Sequence, residues 1–576
     1  MKNKFFYPFL LLLLSACGPS DGLHSLYVLC TNDVHGRWFD SSYVDASTRQ
    51  SLMSVNWYVD SVRSAAGAGN VLLLDSGDCL QGDNAAYYYN YVETGKEHLF
   101  TRLVSYMGYD AITVGNHDIE TGHPVYDRVN KELRSRGIPF LAGNAFRNDG
   151  GKPYFTLYKC FKRAGLKVLV LGYTNPNMSA WLDEELWKGM HFGSLLPLVQ
   201  ADVDRIRAKE KPDVVIVSVH SATGKGDGSI LEAQGLDLFK SLRGVDLLLC
   251  SHDHRELVVS ADSIALVNTG NRAKFLGHTR IDVNIKDGKK VSAHVFPSLL
   301  PIDRNKVDTL MRARFRDDYE AVRDFTVREI GALATDLRTR DAYSGMSAYI
   351  GLLHTVQLKA SGAQISFAAP LTYNGKVSAG VLLYNDLFTI YPFENQLFRM
   401  RMKGSEIKDY LEYSYNLWLA PPESGHVLNI VRREDPRNNQ GGWSFAARPY
   451  NFDSAAGLRY TVDVSKPFGS RISIESLADG SPFDPGAEYG VAMTSYRANG
   501  GGDLLVKGAG IPKDELGSRV EGKFQEVREF IYGFIKEYGL IDEESVSDPS
   551  LLGHWEFVPS SALELLDRDV ELLFGK

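Results

Sequence analysis

Six short apolar runs, each ending abruptly in polar residues, are the feature of this sequence that most constrains its fold. They occupy residues 26–30, 71–74, 111–114, 168–171, 214–219 and 245–250. Continuous apolar runs of this length predict strands that are buried on both faces. Segments with helical spacing lie between several of them, as at 97–106 and 196–209. This succession predicts an α/β domain, in which functional groups gather beyond the carboxyl ends of the strands.

The chain is too long to fold around one hydrophobic core, and its 576 residues make two large domains the expectation. We place the α/β domain at residues 24–303 and a charged linker helix at 304–335. Fewer uninterrupted apolar runs and more aromatic residues then indicate a second domain, of the α+β class, at 336–545. Residues 546–576 are expected to form a tail with a surface helix near 561–574.

The N-terminus has the pattern of an export signal. Two lysines precede an apolar run at residues 5–14, which is too short to span a membrane. Leu-Ser-Ala before Cys17 resembles a bacterial lipobox, so we expect a signal peptide at 1–16, a lipid on Cys17 and a tether at 17–23. The alternative is a signal cleaved without lipidation, which would leave a spare thiol. The expected location is the bacterial cell envelope, on its periplasmic or outer-membrane face, with the lipid as the link to the membrane.

The charge balance argues against one class of partner. A net charge of −8 is unfavourable for a broad basic face that would bind the backbone of a nucleic-acid polymer. The 44% hydrophobic and 23% charged content is that of a globular protein. A small anionic substrate would be attracted locally, by metal ions or by a few arginines.

Side chains that bind metal ions follow five of the predicted strands. Separately they are weak evidence, because Asp-x-His pairs are common, Asn-His often forms a turn and single histidines are usually structural. Asp33 and His35 lie on one side of an extended segment and could share a cation. Together the mixed donors suit first-row divalent ions such as Zn, Mn or Fe, with Asp78 as the candidate bridge. The eight residues are Asp33, His35, Asp78, Asn116, His117, His220, His252 and His254.

These motifs resemble a known family. In order, Thr-Asn-Asp-Val-His-Gly, Gly-Asp, Gly-Asn-His-Asp, a strand-end His and His-x-His resemble the signature of the calcineurin-like metallophosphoesterases. The best resemblance, from residue 24 to about 540, is to the bacterial 5′-nucleotidase family, which includes periplasmic UDP-sugar hydrolases. It implies a layered β-sandwich flanked by helices, followed by a 5′-nucleotidase C-terminal domain that binds substrate.

The resemblance also implies a site with two divalent metal ions, with Zn, Mn, Fe and Co left open. His117 would not be a ligand but would contact the phosphoryl group of the substrate. An acidic residue three positions on would orient it, here Glu120, with Asp118 as the alternative. The first ion would be held by Asp33, His35, Asp78 and His254, and the second by Asp78, Asn116, His220 and His252.

In the second domain the resemblance implies two aromatic rings that enclose a base. Phe393 and Tyr496 match the segments that carry these rings, although Phe393 could instead be a core residue. Asn395 and Asp503 are the further expected substrate contacts.

The arginines that bind phosphate in this family are missing from their usual positions. The segment 365–373 carries none, and neither does the preceding helix at about 346–359. Arg497 and Arg459 are the candidates to replace them.

These observations predict an exported phosphoesterase that hydrolyses phosphate esters with metal-activated water, and 5′-nucleotides are the leading substrate class. The alternatives within the family are a 2′,3′-cyclic nucleotide phosphodiesterase and a UDP-sugar hydrolase. The alternative of another class is a surface ligand-binding lipoprotein with a vestigial metal site. The complete ligand set argues against a vestigial site, whereas the missing arginines indicate altered substrate recognition. The sequence leaves the oligomeric state open.

Overall fold

The computed structural model describes residues 19–261, 264–433 and 442–575. The expected signal peptide and the lipid attachment at Cys17 lie outside these residues. Gly22–Thr31 is the first strand, and it pairs with Phe275–Lys286 from Gly22 onward. The expected tether is therefore too long, because residues 22 and 23 already belong to a sheet. No helix in the described part of the chain has the length and apolar character needed to cross a bilayer.

Two six-stranded mixed sheets form the first domain. In spatial order the strands of the first sheet are Lys289–Pro301, Phe275–Lys286, Gly22–Thr31, Val71–Asp75, Ala111–Thr113 and Phe140–Leu141. Those of the second are Glu256–Ala261, Ile264–Thr269, Leu247–Leu249, Val214–Val219, Leu166–Tyr173 and Tyr158–Arg163. The strands formed by the six apolar runs pair in parallel with one another within each sheet.

Alternate residues of these strands enter two different cores. Val28 and Ile216 pack between the two sheets, whereas Leu29 and Val215 point outward into layers of helices. Burial on both faces explains why the runs are continuously apolar. The layered β-sandwich flanked by helices is confirmed. The longer helices are Leu52–Ala66, Leu99–Met107 and His123–Ser135 outside the first sheet, and Leu195–Glu210 and Gly235–Ser241 outside the second.

Two helices, Thr309–Arg314 and Arg316–Thr326, replace the single linker helix that we expected. The helical path is interrupted at Phe315, whose side chain is buried in the core of the first domain. Val322 also enters that core, whereas Phe325 packs in the core of the second domain. The second of these helices therefore joins the two domains.

The second domain begins earlier than residue 336. Glu329–Leu333 pairs with Gly380–Leu383 on one side and with Leu540–Ile541 on the other. The linker prediction was wrong here, because this short strand follows the helix after two residues and its side chains belong to the second core.

A five-stranded sheet with helices on both sides is the centre of the second domain, which confirms the α+β class. Ala348–Ser361 and Val527–Tyr538 cover one face, and Gly404–Trp418 covers the other. In spatial order the strands are Ser454–Ala456, Ile365–Ala368, Glu488–Thr494, Gln396–Lys403 and Val520–Glu526.

The residues expected to form a separate tail are instead part of the second domain. Gly553–Val558 adds a parallel strand to Leu458–Asp463, and Leu563–Phe574 forms the expected helix. Trp555 and Phe557 of that strand are buried in the larger core of the domain. The alternation His-Trp-Glu-Phe was the available signal for this strand, since one face of it is apolar.

Candidate active site

The predicted metal ligands converge where strands from both sheets of the first domain end. Within the described residues, two groups of side chains have ligand atoms that lie within 4.8 Å of one another. They are Asp33, His35 and His254, and Asp78, His220 and His252.

The first group is arranged around one point. The Nε2 atoms of His35 and His254 lie 2.9 Å apart. Asp33 Oδ1 lies 3.9 Å from the His35 nitrogen and 3.6 Å from the His254 nitrogen. Ligand atoms about 2.1 Å from a cation, and at right angles around it, lie about 3 Å apart. These distances therefore fit a shared cation, on the side of the site where the His254 side chain is 43% exposed.

Asp78 and His220 of the second group are fully buried, His252 is half-buried, and the group includes a fourth donor. Asp78 Oδ2 lies 3.1 Å from His220 Nε2. Asn116 Oδ1 lies 3.0 Å from the same nitrogen and 2.9 Å from His252 Nδ1. The two groups adjoin, because the backbone N–H of His252 donates to the Asp33 carboxylate at 3.0 and 3.2 Å.

The protonation of the imidazoles fits metal binding. Burial lowers the pKa of His35 well below its usual value, that of His252 to about 3 and that of His254 to about 4. Neutral imidazole is the form that binds a metal. Burial also lowers the pKa of His220, but the Asp78 carboxylate outweighs it and raises the pKa to about 9. A divalent cation bound to both would compete with that proton.

The backbone is strained at most of the ligands. A left-handed backbone at a residue other than glycine costs on the order of 1–3 kcal/mol and persists where the surrounding structure enforces it. Gly115 supplies the space that the crowded loops need, because a Cβ there would lie 2.1 Å from Asp78 Oδ1. The five left-handed ligands are Asp33 (φ 48°), His35 (φ 49°), Asp78 (φ 62°), His252 (φ 75°) and His254 (φ 57°).

His117 lies beside the metal-binding groups, with its ring centroid 5.4 Å from that of His35. Its Nδ1 is 2.5 Å from Glu120 Oε2, and the same oxygen accepts a hydrogen bond from Gln81 at 2.9 Å. Burial lowers the pKa of His117, but the Asp78 and Glu120 carboxylates outweigh burial and raise the pKa to about 10. The ring is thus positioned through Nδ1, which leaves Nε2 as a donor.

Asp118, the alternative partner of His117, has a different role. It is fully buried and its carboxylate accepts four backbone hydrogen bonds of 2.8 to 3.0 Å. The donors are Asp78, Cys79, Leu80 and Gly115. Asp118 therefore ties together the two loops that carry Asp78 and Asn116.

A cavity of about 260 Å³ extends from these groups into the second domain. Its first-domain lining includes Asn116, His117, Glu120 and His252. Its second-domain lining includes three of the four expected substrate contacts, Phe393, Asn395 and Tyr496.

Three aromatic rings bound the second-domain part of the cavity. Phe393 and Tyr496 each lie 6.5 Å from Tyr450, with interplanar angles of 77° and 83°. Tyr450 therefore stands nearly perpendicular to both rings. The sequence analysis missed Tyr450, which lies in a short turn with no recognisable pattern. It also missed Trp181 of the first domain, which lines the cavity and stacks on His252, a predicted ligand, at 5.2 Å.

The expected substrate contact at Asp503 is not supported. Its carboxylate pairs with Lys507 at 2.8 Å, and Asp503 is absent from the cavity lining among the described residues. The reason is local: Asp503 has a left-handed backbone (φ 64°) and precedes a helical turn that carries Lys507 on the same side.

Neither candidate arginine presents a free donor to the cavity in this arrangement. Arg497 lines the cavity, but its five guanidinium N–H donors bond to Asp453, Asn451, Tyr450 O and Gly501 O. Arg459 lies on the strand Leu458–Asp463, and its guanidinium faces Ala478 O at 3.4 Å. Arg497 thus holds the cavity wall in place.

Comparison with known proteins agrees with this architecture. The family model of the calcineurin-like phosphoesterases matches residues 26–256, and that of the 5′-nucleotidase C-terminal domain matches residues 326–507. The trifunctional nucleotide phosphoesterase protein YfkN of Bacillus subtilis is 22% identical over 96% of this chain, which spans 41% of that protein. A 2′,3′-cyclic-nucleotide 2′-phosphodiesterase/3′-nucleotidase of Haemophilus influenzae is 24% identical, covering 94% of this chain and 89% of its own.

A solved structure shares the whole fold. The 5′-nucleotidase precursor of Thermus thermophilus superposes with a TM-score of 0.59 and 19% identity, covering 93% of this chain and 100% of that one. Fold and site together define a metal-dependent phosphoric ester hydrolase. The chain belongs to the calcineurin-like phosphoesterases that carry a 5′-nucleotidase C-terminal domain.

Metal content is the direct test of the two adjoining groups. Protein loaded with Mn²⁺ or Zn²⁺ should contain about two ions per chain when measured by inductively coupled plasma mass spectrometry. His254→Ala and His220→Ala should each reduce the content to about one, because each removes a donor from a different group.

His191→Ala is the matched control, since this exposed histidine bonds to Asn148 away from the site. It should keep both ions. The assignment would be contradicted by one ion per chain in the unaltered protein, or by two ions per chain in both His254→Ala and His220→Ala.

Proposed function

We propose that this enzyme releases phosphate from nucleoside 5′-monophosphates. The observation that carries the proposal is the single cavity that joins the metal-binding groups to the aromatic rings. A nucleotide has a phosphate and a flat base at its two ends, which suits a cavity with cation-binding donors in one domain and rings in the other. The names of the related nucleotide phosphoesterases support the same substrate class.

The base would lie between Phe393 and Tyr496, with Tyr450 against its edge. Both outer rings line the same cavity and stand nearly perpendicular to Tyr450, which supports their contact with a planar ligand there. Stacking of a base on an aromatic side chain contributes about 1–3 kcal/mol in single-strand binding proteins. Asn395, in the same lining, supplies polar contacts.

The phosphate would be held at the metal-binding groups. We assign Asp33, His35, Asp78 and His254 to one divalent ion, and Asp78, Asn116, His220 and His252 to the other. Bound ions of this kind neutralise phosphoryl oxygens and lower the pKa of water so that it attacks phosphorus. Zn, Mn, Fe and Co all suit this donor set.

His117 would act on the charge that develops at phosphorus. Glu120 holds Nδ1 of the ring, so the N–H on the opposite nitrogen is available for a phosphoryl oxygen. A positioned donor of this kind contributes mainly in the transition state, where the oxygens carry the most charge. Trp181 stacks on His252, and Trp181 and Leu182 add apolar surface to the lining of the cavity there.

A second candidate substrate is a 2′,3′-cyclic nucleotide. Arg497 has no free donor, and no other arginine lines the cavity among the residues that the structure describes. A cyclic phosphodiester carries one negative charge and a nucleoside monophosphate close to two. The lack of a guanidinium therefore favours the diester, and the Haemophilus relative carries that activity in its name.

We also propose that the chain is exported and anchored by a lipid on Cys17, on the strength of the Leu-Ser-Ala-Cys pattern. The protein should then fractionate with membranes, and Cys17→Ser should release it into the aqueous fraction. An unaltered chain found in the aqueous fraction would contradict the anchor.

Kinetics of two variants test the catalytic roles. His117→Asn should lower kcat by about 10²–10³-fold, because a donor to the transition state is lost. Glu120→Gln should give a smaller loss, since it weakens only the positioning of the ring. Both should retain about two ions per chain. Loss of metal in His117→Asn would instead make His117 a ligand.

The aromatic site is tested by comparing two substrates. Tyr496→Ala should raise KM for AMP about 5- to 150-fold, because one of the two rings that cover the faces of the base is lost, and this corresponds to about 1–3 kcal/mol. KM for p-nitrophenyl phosphate, which lacks a base, should change little. Tyr538→Ala, at a partly exposed tyrosine far from the cavity lining, is the control. An equal effect of Tyr496→Ala on both substrates would exclude the base from this position.

A further inference from the structure

Glu232 is a partly buried carboxylate in the wall of the cavity that the reaction described above does not use. It belongs to the first domain and lines the cavity with Tyr450 and Tyr496 of the second domain. Burial raises the pKa of its carboxyl, the Asn177 amide lowers it and the charge of Asp503 raises it. The Asn177 amide supplies one donor to this carboxylate, whose two oxygens can accept further hydrogen bonds from a ligand in the cavity.

The backbone of Glu232 is held rigidly. Its carbonyl accepts hydrogen bonds from the Ala222 N–H at 3.0 Å, from Asn175 Nδ2 at 3.1 Å and from Ser221 Oγ at 3.1 Å. Asn175 and Ser221 are fully buried, and Ser221 directly follows the metal-binding His220. The carboxylate therefore extends from a backbone segment that is fixed relative to the metal centre, as a specific binding contact requires.

The chemistry of the common bases limits what this carboxylate can bind. Its two oxygens accept hydrogen bonds and cannot donate while ionised. Guanine presents a ring N–H and an amino group side by side, which match two carboxylate oxygens. Adenine and cytosine place a ring-nitrogen acceptor beside the amino group, and uracil places carbonyls on both sides of its N–H. In each of these three bases an acceptor atom would face the carboxylate and be repelled by it.

We propose that Glu232 accepts two hydrogen bonds from the edge of a guanine base held among Phe393, Tyr450 and Tyr496. Guanine nucleotides are then the preferred substrates. This inference rests on the proposed nucleotide activity and extends it from a substrate class to one base. A sequence search cannot find this contact, because the residue lies in the first domain and the rings lie in the second.

The test compares GMP with IMP, which differs from GMP only in lacking the amino group. For the unaltered protein, kcat/KM for GMP should exceed that for IMP on the order of tenfold to a hundredfold. In Glu232→Gln the ratio should fall close to one, because the amide offers a single acceptor oxygen. Glu185→Gln, at an exposed glutamate bonded to Lys188, should keep the full ratio.

Equal kcat/KM for GMP and IMP in the unaltered protein would overturn the proposal. An unchanged ratio in Glu232→Gln would also overturn it. The proposal would also be overturned if Glu232→Gln kept the GMP to IMP ratio but lost discrimination between GMP and 2′-deoxy-GMP. That result would place Glu232 at the ribose.

Hydrolysis of p-nitrophenyl phosphate distinguishes failure of the guanine proposal from failure of the proposed nucleotide activity. Its hydrolysis should be the same in the unaltered protein and in Glu232→Gln. Hydrolysis of this ester without hydrolysis of any nucleotide would overturn the nucleotide activity itself, and the guanine preference with it.

Discussion

The metal centre depends on the buried carboxylate of Asp118. Four backbone N–H groups from two separate loops donate to it, and these loops carry Asp78 and Asn116. Without the carboxylate those donors would be buried and unpaired, at a cost of about 1–3 kcal/mol each. The strained backbone at Asp78 persists because these bonds enforce it. One acidic residue thus fixes the geometry of the two loops that carry the predicted metal ligands Asp78 and Asn116.

The first domain was largely predictable because its signals are local. A strand buried on both faces is visible as an apolar run, and a ligand such as His220 follows that run directly. The parallel pairing then brings the strand ends together without further information. The role of Asp118 could not be predicted in the same way, since it depends on which backbone groups the folded loops leave unpaired. Sequence analysis therefore named Glu120 as the partner of His117 but left Asp118 as an alternative.

The substrate side was less predictable because it forms only when the two domains meet. Phe393 and Tyr496 could be placed by resemblance, whereas Tyr450 and Glu232 enter the cavity from segments that show no pattern. Arg497 is another residue whose role could not be predicted from the sequence. The sequence offers it as a candidate to bind phosphate, but the five bonds that occupy its donors exist only in the folded domain.

The helix Arg316–Thr326 has a consequence for the chain as a whole. Its Val322 is buried in one domain and its Phe325 in the other. Tyr87 of the first domain packs in the second core as well, and its hydroxyl bonds to Glu529 at 2.6 Å. The two domains therefore share a layer of side chains, and separating them would expose aromatic surface on both. We expect the two domains to unfold together in one cooperative transition on heating or in denaturant, because the loss of either core weakens the other.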